Sequence, residues 1–222
     1  MSSTEQPKSV VGTAPSVTSV NVMREPIEGY QRLTGIDKRP VAGPVQVTAD
    51  GLADDRQFAR SHGGRDRAVY AYAEEDREFW EAGLGRTIRA GWFGENLDTR
   101  GLAVTDAEIG EQWRVGSVLL QVQQPRTPCE NLSARVGIDG FHLRFNATGR
   151  VGAMLRVLEP GHLQAGDEVQ VVLRPGHGVT IGRYLTDPEP RAMRRLLDSD
   201  VRLARPVGAR VQRIVARAER PG

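Results

Sequence analysis

Apolar and polar side chains alternate through VTSVNVM (residues 17–23), the pattern of a half-buried strand. Strand-like segments recur at VQVTADGL, AVYAY (68–72), SVLLQVQ (117–123), VGAMLRVL and EVQVVLR. The turn QAGD between the last two predicts a hairpin. AEEDREFWEAGLG has acidic residues at its start and Gly83 and Gly85 near its end, which predicts a short helix stopped at one of them. A long connection, REPIEGYQRLTGIDKRPVAGP, carries too much Gly and Pro for regular structure through most of its length, and such loops in a compact domain are often functional. Short strands separated by Gly- and Pro-rich turns, with few helices, predict a mainly β (α+β) barrel or sandwich.

The pattern changes after RPGHG. PRAMRRLLDSD places Met193, Leu196 and Leu197 at helical spacing, and GARVQRIVARAER does the same for Val211, Ile214 and Val215. With VTIGRYL these segments predict a small three-helix unit over residues 177–222, behind a barrel unit over 17–176 and a flexible polar leader over 1–16.

The 222 residues are 39% hydrophobic, enough for one substantial core plus a smaller appendage. No apolar run approaches the ~18 residues of a membrane span. The start, MSSTEQPKSVVGTAPS, lacks the features of a secretory signal. A single cysteine excludes an intramolecular disulfide and fits a reducing, cytoplasmic setting. Net charge is +2, but from Arg174 onward eleven arginines face five acidic residues, a net of +6. These arginines fall on segments with apolar faces and a single aromatic, Tyr184, so nucleic-acid binding has little support and a solvated helical face is expected. Lysine is scarce, only Lys8 and Lys38.

The one cysteine stands in QPRTPCENL. Thr127 suits an N-cap, Pro128 the first helical position, and Glu130 a capping box, which places Cys129 in the first turn of a helix. Backbone N–H groups there, with Arg126 nearby, favour the thiolate. Such a thiolate can act as a nucleophile with a histidine base, the candidates being His62, His142, His162 and His177. It can also hold a soft metal whose remaining ligands come from a cofactor. The metal-ligand spacings of a structural zinc site are missing, as are the glycine patterns of dinucleotide and nucleoside-triphosphate sites. Three further stretches hold candidate chemistry. SHGGRDRAVYAY sets His62 before two glycines; GWFGENL sets Glu95 and Asn96 after a glycine turn, as an exposed turn or a polar rim; DKRPVAGPV offers Lys38 and Arg39 to phosphate or to solvent.

Taken in order, KRPVAGPV, HGGRDRAVYAY, FGENL, QPRTPC and LQAGDEVQVV resemble the MOSC domain, the family named after the C-terminal part of molybdenum cofactor sulfurase. The tail resembles the three-helix domain that follows MOSC in bacterial proteins of the hydroxylaminopurine-resistance type. The resemblance implies a β-barrel-like fold that binds a molybdenum cofactor (molybdopterin), with Cys129 as the protein ligand to the metal. It makes Lys38, Arg39 and Arg126 candidates for the phosphate and pterin edges, and His62, Glu95 and Asn96 pocket residues. It further implies reduction of small N-hydroxylated substrates, with electrons from a separate flavin reductase, or alternatively sulfur transfer through a Cys129 persulfide. Relatives commonly carry Gly-Asp before a Gln ahead of His-Gly-Gly; here Ala53 and Asp54 occupy the glycine region, and Arg60 stands where an acid is frequent.

Overall fold

A computed structural model of the chain describes residues 14–55 and 64–220. The first strands in chain order are β1 (Ser16–Met23), β2 (Ile27–Glu28), β3 (Leu33–Thr34), β4 (Lys38–Pro40), β5 (Val45–Thr48) and β6 (Gly51–Leu52). They are followed by β7 (Val69–Ala73), β8 (Leu97–Arg100), β9 (Gln112–Val115) and β10 (Val118–Pro125), then β11 (Ala153–Glu159), β12 (Gly161–Leu163) and β13 (Val169–Leu173). The helices are α1 (Glu74–Leu84), α2 (Glu130–Val136), α3 (Phe141–Ala147), α4 (Ile181–Thr186), α5 (Pro190–Leu197) and α6 (Arg205–Ala218).

Eight strands form one sheet in the order β13-β9-β10-β11-β7-β8-β1-β4. Every residue of β7 and β10 is buried; β7 reads accordingly as a nearly continuous apolar run, whereas β10 also buries Gln121, Gln123 and Gln124. The sheet closes on itself. Val17 N donates to Asp167 O at 2.9 Å, Gly166 N to Val17 O at 2.7 Å, and Val169 N to Pro15 O at 2.7 Å. One edge of β1 thus meets the approach to β13 near its start and β4 near its end, while β8 takes the other edge. The result is the mainly β, barrel-like α+β fold expected from the sequence.

Partner choice departs from expectation in one place. VGAMLRVL and EVQVVLR both form strands, but not a hairpin. Both edges of β11 are taken, by β10 and β7, so β13 pairs instead with β9. The intervening β12 pairs with β5, and VQVTADGL is itself the β5–β6 hairpin.

Helix α1 ends at Gly85, in the left-handed conformation that terminates helices, and connects the parallel pair β7 and β8. Its Trp80 joins Tyr72, Phe93, Phe141 and Phe145 in an aromatic cluster that seats α1 and α3 on the sheet. The three C-terminal helices are present, with Met193, Leu196, Val207, Val211 and Val215 buried. Their apolar side chains belong to one hydrophobic cluster that is continuous with the barrel core. Among the described residues no helix is long and apolar enough to cross a membrane.

Candidate functional site

The backbone around the cysteine is set by the sheet. Pairing continues one step beyond β10, where Arg126 N donates to Gly152 O at 3.2 Å. This keeps the chain extended past Pro125, and α2 begins only at Glu130. The expected cap at Thr127 and its capping box are therefore corrected. Cys129 itself holds the N-cap position (φ −136°, ψ 178°), its side chain makes no capping hydrogen bond, and its carbonyl accepts from Leu132 N at 2.8 Å. The cysteine is half-buried, whereas Thr127 is exposed.

Both ends of the segment that carries Cys129 are tied to the loop that holds Trp92 and Phe93. At the front, Arg126 is buried, lies 5.7 Å over the Tyr70 ring and 6.0 Å from that of Phe145, and reaches Phe93 O at 3.4 Å. At the back, Arg135 stacks 3.8 Å over Trp92 and pairs with Asp37. Arg89 pairs with the same carboxylate, and Arg39 reaches it through Nε at 3.1 Å and Nη2 at 3.0 Å. One buried carboxylate thus faces three guanidinium groups, an excess of two positive charges. Burial pulls Arg89 and Arg135 below the usual arginine range, and Asp37 opposes it.

Beside this cluster lies a buried polar chain. Lys38 Nζ contacts Asp55 Oδ2 at 2.6 Å, and the same oxygen accepts from Asn96 Nδ2 at 2.8 Å. Asp55 Oδ1 accepts from Met23 N at 2.9 Å, and Asn96 bonds both Asn21 O and Tyr70 N. Burial lowers the Lys38 pKa, against the pull of Asp55 and Glu95. Glu95 is fully buried; Oε1 accepts from Gly91 N at 2.8 Å, and burial raises its carboxyl. Gly91 has no room for a side chain, since a Cβ would stand 2.4 Å from Lys38 O. Farther along, Asn21 Nδ2 bonds Asp98 Oδ2 at 2.7 Å, and Arg77 pairs with its other oxygen. Burial and the Glu95 carboxylate nevertheless push Asp98 up to about 8.

The sequence candidates are distributed as follows. Lys38 and Asn96 share Asp55, with Glu95 electrostatically coupled to Lys38. Arg126 grips the loop that carries Glu95, and Arg39 joins α2 through Asp37. Glu95 and Asn96 form neither an exposed turn nor a rim; both are buried where their loop enters β8. His62 and Arg60 lie outside the described residues. Sequence reading missed Asp37, Asp55, Arg89, Arg135 and Trp92. Asp37 directly precedes the basic pair Lys38–Arg39, and that adjacency is the one available signal. Asp54 is the only non-glycine among the described residues with positive φ, at 65°, so the substitution in the glycine region keeps a left-handed backbone.

Comparisons with known proteins agree with this architecture. The MOSC domain family profile matches residues 59–170. The chain is 35% identical over 155 residues to the uncharacterized protein YflK of Bacillus subtilis, spanning 69% of this chain and 70% of that one. It is 33% identical over 151 residues to a protein of Gibberella moniliformis named "Reductase", spanning 66% of this chain but only 27% of the fungal protein. The crystal structure of YiiM from Geobacillus stearothermophilus superposes with a TM-score of 0.74 at 30% identity, covering 90% of this chain and 99% of that one.

Proposed function

Because this chain belongs to the MOSC domain family, we propose that it is a molybdenum-cofactor-binding reductase that cleaves the N–O bond of small N-hydroxylated substrates. The observation that carries the reading is a half-buried thiol on a segment whose two ends are gripped by a guanidinium cluster and a glycine-shaped loop, beside polar atoms that the protein leaves unpartnered. Arg126 Nη1, Glu95 Oε2, Arg135 Nε and Trp92 Nε1 are buried without a hydrogen-bond partner. Each such group costs about 1–3 kcal/mol unless something bonds it. A pterin with donor and acceptor edges and a phosphate suits this set, and the residues fit the cofactor on that ground. The name of the fungal relative is consistent with a reductive role.

Cys129 would hold the metal as its protein ligand. Arg39, Arg89 and Arg135 would face the phosphate, with charge that Asp37 only partly neutralises. Arg126 Nη1 would donate to the pterin, and Glu95 Oε2 would accept from it. Lys38 is bonded to Asp55, so we assign it to holding the turn that leads toward His62, with Asn96 bracing the same carboxylate. When bound, the cofactor supplies two-electron chemistry that removes the substrate oxygen. Overall, the substrate takes up two electrons and two protons and leaves as its N–H form and water. A separate flavin reductase supplies the electrons, and the protein contributes orientation, electrostatics and a shaped pocket.

The test is elemental and pterin analysis of freshly purified protein from cofactor-producing cells, followed by reduction of an amidoxime with a flavin reductase as donor. Cys129→Ala should lose molybdenum and activity while keeping the thermal midpoint of the parent. Full molybdenum-dependent reduction by Cys129→Ala would sink the ligand assignment. Metal-free parent protein carrying a labile sulfur on Cys129 would favour persulfide transfer instead.

A further inference from the structure

Asp37 stands in the irregular stretch just before β4, and its two oxygens are shared by three arginines. Oδ1 takes Arg89 and Arg135, and Oδ2 takes Nε and Nη2 of Arg39. Two of these guanidinium groups are positioned without the carboxylate. Arg89 Nη1 donates to Lys38 O and Ala90 O, each at 2.6 Å, and Arg135 rests on the Trp92 ring at 3.8 Å. Asp37 does not exhaust the donors around it: Arg135 Nε is buried with no partner, and so is Nε1 of the Trp92 it rests on. Nor does it balance the charge, since one negative group faces three positive ones. The Arg39 side chain is 51% exposed and that of Asp37 only 10%, so water reaches the cluster while the carboxylate stays inside. A cradle held by backbone and aromatic contacts, open at one side, and exceeding its own counter-ion in both charge and donors is shaped for an anion larger than a carboxylate.

We propose that Asp37 is a resident stand-in for phosphate: its carboxylate fills the cradle of Arg39, Arg89 and Arg135 in the unloaded protein and yields the seat to a phosphate monoester dianion. The inference rests on the placement of the cofactor phosphate proposed above and adds how the empty site is held and loaded. A dianion brings a third oxygen and a second negative charge, so it leaves less of the arginine charge unmatched than one carboxylate does. Until it arrives, Asp37 keeps three like charges from repelling one another in a half-buried place. That protection weakens capture, because a seat taken about nine-tenths of the time lowers the apparent affinity about tenfold.

The test uses the full chain purified from cells that do not make the cofactor, with inorganic phosphate as the probe at constant ionic strength. Calorimetry should give a phosphate Kd about tenfold lower for Asp37→Ala and Asp37→Asn than for the parent. Both variants should melt below the parent without phosphate and recover most of that loss at saturation, because the anion binds only the folded cradle. Formate, a free carboxylate, should also raise the midpoint of Asp37→Ala and compete with phosphate there, while leaving the parent unmoved. Equal phosphate affinity in the parent and both variants would give Asp37 a purely structural role and overturn the exchange. So would formate and phosphate binding to Asp37→Ala without competition, or no phosphate binding to either variant. Should Asp37→Ala not fold, Asp37→Asn decides the phosphate comparison alone. None of these measurements needs molybdenum, so its absence from protein made in cofactor-producing cells counts against the reductase reading and not against the exchange at Asp37.

Discussion

Arginine dominates the basic residues of this chain, and it does two different things, one around Cys129 in mid-chain and the other on the C-terminal helices. Around Cys129, Arg126 and Arg135 are held by aromatic faces, a carbonyl and a shared carboxylate. On α6, Arg205, Arg213 and Arg217 lie exposed on one side of a helix whose other side buries Val207, Val211 and Val215. Tail arginines that do pair, such as Arg194 with Glu219, remain at the surface. Composition treats these groups alike. Their neighbours separate them, because a guanidinium near the core must be matched by directed partners whereas one in water need not be.

The largest effect in that contrast should come from Asp37→Ala. It leaves Arg89 and Arg135 without their carboxylate, and urea unfolding should show a loss of roughly 2–3 kcal/mol, with Arg39 adding little because it is half exposed. Next comes Asp98. Its folded pKa of about 8 lies above the unfolded value near 3.9, so its stabilising contribution is complete below about pH 4 and is lost as pH rises toward 8. Asp98→Asn should flatten the stability–pH curve across that window. The parent and variant should differ most in favour of the variant above pH 8, and parallel curves would contradict the assignment. Replacing Arg205, Arg213 and Arg217 together by Gln should move the thermal midpoint by no more than about 2 °C. A larger shift would mean that the α6 arginines are structural after all. Smallest of all, Asp54→Gly should change stability by less than about 1 kcal/mol, since relief of the left-handed backbone is offset by the freer unfolded chain.

Local pattern was legible wherever a local cause sets the structure. The alternation in β1, the apolar run in β7 and the Gly85 stop of α1 each follow from periodicity or from one backbone requirement. Periodicity identifies strands without naming their partners, which is why β11 and β13 looked like a hairpin although both edges of β11 were already occupied. The start of α2 was misplaced for a related reason. Thr127 and Pro128 carry the side chains of a helix start, but the ladder through Arg126 holds the backbone extended until Cys129. At the site, the cysteine, Lys38 and the Glu95–Asn96 pair stood out as residue types in unusual settings. Asp55 and Arg135 did not, because a lone carboxylate or guanidinium gains meaning only from a partner far along the chain.

The seam between β1 and the approach to β13 has a consequence for biogenesis. It joins residues about 150 positions apart, so the first strand leaves the ribosome long before its mate. At ordinary elongation speeds the interval is roughly 8–30 s, during which the start of that edge of β1, beyond the stretch that β4 covers, has no permanent neighbour. Ring closure is thus a late event in the life of the nascent polypeptide, and a translation product that stops short of Gly166 carries an open stave.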